Sequence, residues 1–167
     1  MQITVLFLAA WAIAVAVCDI RERRVPNWLI GLGIAFACIS FIVVRDASVA
    51  VPVQGLLGAL LAFVVFLPLY IFGAMGAADV KVFAVIGLWL GAGMLVPVWL
   101  WASAAAGVHA VYAIARTRLR PVTVLGHTLV IGAGPGRQIR GAPYAAFLAL
   151  AALGVIVSRH PLWVAGF

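Results

Sequence analysis

Acid is scarce in this chain. Only four of its 167 residues are aspartate or glutamate, and charged residues of either sign make up 9%. A typical soluble domain carries about 25%. With 67% of the residues hydrophobic, no soluble fold of this length has enough interior to hide the apolar surface. A soluble domain is excluded and an integral membrane protein is implied. Cysteine is nearly absent too. Cys18 and Cys38 form no CxxC pair, which excludes the usual zinc and thioredoxin-like signatures and leaves both as buried small apolar residues. There is no HExxH to hold a catalytic zinc and no glycine-rich phosphate loop. The first apolar run lacks the basic residues that open a signal peptide, its arginines lying after it. It reads as a retained membrane helix.

What is present is a series of uncharged stretches, over 3–18, 28–44, 47–78, 82–115 and 142–158. A crossing needs about 20 residues, within about 17–25. The fourth stretch is too long for one crossing and contains Gly91, Gly93 and Pro97, which mark a turn. The expected fold class is therefore all-α, a polytopic membrane protein of six transmembrane helices forming one domain over 1–167. Orientation follows from the cations. With the N-terminus outside, Arg21, Arg23, Arg24, Lys81, Arg116, Arg118, Arg120, Arg137 and Arg140 fall on the cytoplasmic side, and only Arg45 and Arg159 outside. Both termini then face outward. The net charge of +7 is accounted for by topology and attraction to anionic lipid, and nucleic acid is not needed. The loop 116–141 has an apolar middle broken by Gly and Pro, which suits an interfacial or re-entrant segment; whether it gates access stays open. Gly87 and Gly91, at GxxxG spacing, are candidates for close helix packing.

The four acids divide into two kinds. Glu22 lies among arginines and Asp46 beside Arg45, both readable as solvated loop charges. Asp19 ends the first helix as it reaches the cytoplasm, and Asp79 begins the fourth as it leaves. The topology, fixed from the cations alone, puts them at one depth on one face of the bundle. Asp79 is also readable as a helix N-cap with Lys81 as an interfacial anchor. Asp19 is harder to assign to structure, because a carboxylate at a helix C-terminus opposes the macrodipole, although Arg21 and Arg23 offset part of that. Ser103 and His109 lie on the fifth helix with no serine-nucleophile motif around them, and His109 reads as a packing residue.

Three stretches resemble a known family. The segment 19-DIRERRVPN-27 is similar to the D-x-R-x-x-x-(I/V)-P-N signature after the first helix of type IV prepilin peptidases, and includes Pro26 and Asn27. The segment 73-GAMGAADVKVFAVIGLWLG-91 resembles their GxGD motif, with Gly76 in place, Ala78 where the family has glycine, and Asp79 as the aspartate. The segment 141-GAPYAAFLAL-150 is similar to the Pro-Tyr that opens the family's last helix, here Pro143 and Tyr144. Full-length members carry a cytoplasmic insertion with paired CxxC ligands and a methyltransferase activity. Here the second helix follows Asp19 almost at once, which resembles the compact CpaA/TadV-like branch of tight-adherence (Flp/Tad) pili.

The resemblance implies an aspartic endopeptidase of the bacterial cytoplasmic membrane, cutting prepilin leaders at the cytoplasmic face, with Asp19 and Asp79 as the catalytic pair. Its substrate is an apolar helix preceded by a short basic leader. Neighbouring carboxylates share a proton and activate water without a metal or other cofactor. Arg21, Arg24 and Lys81 are candidates for tuning the pair or for contacts with substrate or lipid. Ala78 puts the local geometry at the motif in question, since glycine there permits close approach or positive φ. The competing readings are non-enzymatic: a proton-coupled transport subunit, or an inactive pilus-assembly scaffold. The oligomeric state, a homo-oligomer included, and the identity of the pilin stay open. For topology, an impermeant thiol reagent added from outside should label an Arg159→Cys variant and spare Arg116→Cys; the reverse pattern would refute the orientation.

Overall fold

Among the residues that the computed structural model describes (2–44, 52–73, 75–118, 122–124, 127–129 and 143–159, with side chains over 5–42, 52–73, 75–115 and 143–158), there are six helices. They are α1 (Gln2–Glu22), α2 (Asn27–Ile39), α3 (Pro52–Ile71), α4 (Ala77–Leu90), α5 (Leu95–Arg118) and α6 (Tyr144–Arg159). Asp46, Arg45 and the stretch 130–142 lie outside the described residues. The long apolar stretch divides where its glycines suggested. Gly91 takes a φ of 76°, and a 3-10 turn over Ala92–Met94 leads into α5. A side chain would be strained at that φ, which is why glycine stops α4 here. Helix α2 continues as a π-helical turn over Ser40–Val44.

The all-helical expectation is modified at one place. Strands β1 (Val122–Val124) and β2 (His127–Leu129) pair antiparallel, Val122 opposite Leu129 and Val124 opposite His127. The β-branched Val122, Thr123, Val124 and Thr128 favour extended backbone. The rest of the interfacial or re-entrant reading of 116–141 falls largely outside the described residues.

Helix α4 is the centre of the bundle. Its Val82, Phe83, Val85, Ile86 and Trp89 are all buried, and it packs against α2, α3 and α6. Two indoles tie the neighbours to α2. Trp11 Nε1 donates to the Leu29 carbonyl at 2.8 Å, and Trp89 Nε1 to the Gly33 carbonyl at 3.1 Å. The rings of Phe7 and Phe36 stack with centroids 3.5 Å apart, and both lie beside Trp89. Cys38 departs from the expected burial: it is exposed, because the buried line of α2 runs through Leu29, Ile30, Gly33 and Ala37 and turns the neighbouring position outward.

Helix α3 is packed inside out compared with a helix in water. Its buried line is Gly55, Gly58, Ala62 and Phe66, while Leu56, Leu57, Leu60, Leu61 and Val64 face outward. Such a face suits lipid and not water. Where the surroundings are as apolar as leucine, helices associate by close approach of small residues. Two helical segments, Pro52–Ile71 of 20 residues and Ala92–Ala115 of 24, are long and apolar enough to cross a membrane. At Gly58 and Gly87 the α3–α4 seam is backbone against backbone: a methyl group on Gly87 would meet the carbonyl of Gly58, and one on Gly58 would meet the carbonyl of Gly87.

This predicts a sharp contrast between glycines. Gly87→Ala should separate α3 from α4 and cost about 1–3 kcal/mol, the usual range for overpacking. Gly31→Ala, at a helical position with nothing within 4 Å of the added carbon, should be neutral or stabilise by up to ~1 kcal/mol. Thermal unfolding of the two variants in detergent checks this; equal midpoints would contradict it.

Candidate active site

The turn from α1 into α2 is built residue by residue. Arg23 stops α1 by taking a φ of 56°, and its amide donates to the Asp19 carbonyl at 3.0 Å. A non-glycine residue in this region costs roughly 1–2 kcal/mol. Val25 then inserts into the core. Pro26 sits at the N-cap of α2 with extended backbone, φ −66° and ψ 142°, and its carbonyl accepts from the amides of Leu29 and Ile30. Asn27 opens α2, and its Oδ1 accepts from Lys81 Nζ at 2.9 Å. The two signature segments are thus joined directly through polar side chains 54 positions apart.

The second segment opens α4. Gly76 is the N-cap, in extended backbone at φ −76° and ψ 148°. Asp79 is the third helical residue, and its Oδ2 accepts from the Gly76 amide at 3.1 Å, the carboxylate half of a capping box. The N-cap reading of Asp79 is therefore displaced by three positions. Ala78 lies inside α4, half-buried against the core, and is not among the positive-φ residues. The backbone here is helical, so an alanine is conformationally ordinary where the family motif has glycine.

Asp19 is 5% exposed, in the last turn of α1. Its Oδ2 accepts from the Ala146 amide at 2.9 Å, across 127 residues of sequence. Ala145 and Ala146 belong to the first turn of α6, where helical amides have no partner within the helix and the macrodipole is positive. The Ala145 amide also interacts with both carboxylates. The unfavourable position of Asp19 at the end of α1 is thus offset by the start of α6. Pro143 is buried just before this turn, and Tyr144, half-buried, shares a 2.9 Å hydrogen bond with Ser103 of α5.

Both carboxylates lie just outside the uncharged stretches, at the ends of their helices. Burial raises the pKa of Asp19, opposed by the Ala146 amide, the Arg23 charge and the Ala145 amide. Burial raises Asp79 to about 6, opposed by the Gly76 amide, with the charge of Asp19 adding to the rise. Arg23 is the arginine whose charge bears on Asp19; like Arg21 and Arg24 it is exposed. Glu22 is exposed, as expected of a solvated charge. His109 packs against Phe147, ring centroids 5.7 Å apart, in keeping with a packing residue. Among the described residues no group of three His, Cys, Asp or Glu is placed to hold a metal ion.

The model of the type IV leader peptidase family matches residues 6–111, which include Asp19, the 25-VPN-27 turn and the whole of α4. The chain belongs to this family. That membership makes it a membrane-associated protein of the leader-peptidase class. Comparisons with curated proteins and with solved structures gave no match.

The raised pKa of Asp79 predicts a pH-dependent stability. Between pH ~4 and 6 the folded protein must ionise a half-buried carboxyl that ionises more readily when unfolded, so stability falls as pH rises through this window. Asp79→Asn removes that penalty while keeping an oxygen for the Gly76 amide. Its thermal midpoint in detergent should exceed wild type by a few degrees above pH 6 and match it below pH 4. A variant less stable than wild type at pH 7 would contradict the assignment.

Proposed function

We propose that this chain is an aspartic endopeptidase of the bacterial cytoplasmic membrane that removes the short basic leader from prepilins at the cytoplasmic face. Asp19 and Asp79 are its catalytic pair. The observation that carries the reading is that two carboxylates from different helices, Asp19 buried and Asp79 half-buried, lie against the same backbone amide, Ala145, with the charge of one adding to the raised pKa of the other. Family membership supports the substrate class. In this reading the six helices all cross the membrane, with both termini outside. The compact CpaA/TadV-like branch is supported by the short connection from α1 to α2, residues 23–26, which leaves no room for an insertion.

The two acids differ in ways that assign their roles. Burial raises both acids, but at Asp19 the Ala146 amide and the Arg23 charge oppose that rise and favour the ionised form. Asp79 lies beside that charge, which favours its protonated form. Asp19 takes a proton from water as the water oxygen adds to the scissile carbonyl, and Asp79 gives its proton to the carbonyl oxygen. On collapse of the resulting diol, Asp19 passes its proton to the leaving amine and Asp79 recovers one from the diol hydroxyl. Both carboxyls end as they began. No covalent intermediate forms.

Asp19→Asn and Asp79→Asn should each abolish leader cleavage of a co-expressed prepilin, read by mass spectrometry of the pilin N-terminus. The double variant should be little worse, because the pair acts as a unit. Glu22→Gln should remain active. The rate should rise with pH as Asp19 ionises and fall as pH rises through about 6 in the free protein, where Asp79 loses its proton. More than about a tenth of the wild-type rate in Asp19→Asn, a loss under ~1.4 kcal/mol, would refute the two-aspartate mechanism. An intact leader with wild-type protein would favour a scaffold or transport role.

A further inference from the structure

Ser103 has no place in the mechanism, yet its hydroxyl makes a side-chain hydrogen bond from α5 to α6. Its partner is Tyr144, the first residue of α6, at 2.9 Å. The next two residues, Ala145 and Ala146, supply the amides that meet the carboxylates. Those amides keep their geometry only if α6 holds one rotation about its axis. Much of its buried face near the site is small and smooth, through Ala145, Ala146, Ala149 and Ala152, with Leu148 and the half-buried Phe147 as the large residues there. Small residues permit close approach between helices and equally permit sliding. A directional bond from Tyr144 to α5, immediately before the two amides, removes that freedom. The Tyr144 hydroxyl also has Trp99 as a hydrogen-bond neighbour and lies within electrostatic reach of Asp79. The packing of His109 on Phe147, one turn along α6, is a second tie to α5.

We infer that Ser103 is a positioning residue for the aspartate pair: through its hydrogen bond to Tyr144 it fixes the first turn of α6, and with it the Ala145 and Ala146 amides that hold Asp19 and Asp79. The inference rests on the proteolytic reading of the pair, and its test has one arm that does not. With three aspartates in the chain, Asp19, Asp46 and Asp79, carboxyl-13C-aspartate labelling of the purified protein gives three resonances, assignable with the Asp→Asn variants. In Ser103→Ala and Tyr144→Phe the Asp19 resonance should titrate at higher pH than in wild type, because a displaced Ala146 amide no longer favours the carboxylate. Ser103→Thr keeps a hydroxyl and should restore the wild-type midpoint.

The second arm measures leader cleavage. Ser103→Ala and Tyr144→Phe should each lower kcat by roughly tenfold, within the range that small misplacements produce. KM should change little, and the acid limb of the pH profile should move to higher pH. The double variant should match the single ones, and Ser103→Thr should recover both rate and profile. Aspartates that titrate in Ser103→Ala as in wild type, or a wild-type cleavage rate in that variant, would overturn the proposal. A lowered rate with an unmoved profile and no rescue by threonine would also overturn it, leaving Ser103 a packing residue. A wild-type protein that cleaves no leader, with the titration shift intact, would instead refute the proteolytic reading.

Discussion

The contact between the Ala146 amide and Asp19 determines how the rest of the bundle must be arranged. A carboxylate in the last turn of α1 faces the negative end of its own helix and is almost fully buried. Left alone it would neutralise or pull the turn toward water. The first turn of α6 prevents this by bringing unpaired amides to the carboxylate. That requirement constrains three other elements. Helix α6 has to begin at the depth where α1 ends and α4 starts. Its inner face has to be small enough to lie close to both, which accounts for the alanines at 145, 146, 149 and 152. The chain before it has to arrive without a competing donor, and Pro143 has none.

The two family signatures also acquire physical meaning when their contacts are compared. Val25 anchors the first turn in the core, Pro26 sets the backbone that starts α2, and Asn27 receives Lys81 from the second signature. Lys81 therefore has a structural partner, distinct from the roles in tuning or lipid contact that its position suggested. At Gly76 the amide and the side chain of Asp79 hold each other, so the glycine-to-aspartate spacing is that of a helix start. The alanine between them is compatible with this because the backbone has already turned helical.

Much of this was legible in the sequence because it rests on composition and periodicity. Charge gaps pointed to the helices, Gly91 to the break between α4 and α5, and the end of the first helix and the start of the fourth to the neighbourhood of Asp19 and Asp79. The boundaries were less legible. Helix α1 continues past its apolar stretch to Glu22, since charged residues do not end a helix and the left-handed Arg23 does. Least legible were the contacts made by backbone atoms. The amides of Ala145 and Ala146 could belong to any residue, so no side-chain pattern announces them; the Pro-Tyr before them was the nearest signal. The indole bonds to α2 carbonyls and the Ser103–Tyr144 pair were hidden for a related reason, since each joins residues far apart in sequence through a single polar atom.

The Gly58–Gly87 seam has a consequence for how this protein can change over generations. Ordinary cores drift because a larger residue on one side is answered by a smaller one opposite, the total volume being conserved. Here main-chain atoms meet main-chain atoms, and there is no opposing side chain to shrink. A substitution on either helix has no compensating partner within the contact. The Gly58–Gly87 contact is thus closed to gradual repacking, and variation has to accumulate elsewhere, as on the outward faces, where one apolar residue serves lipid as well as another.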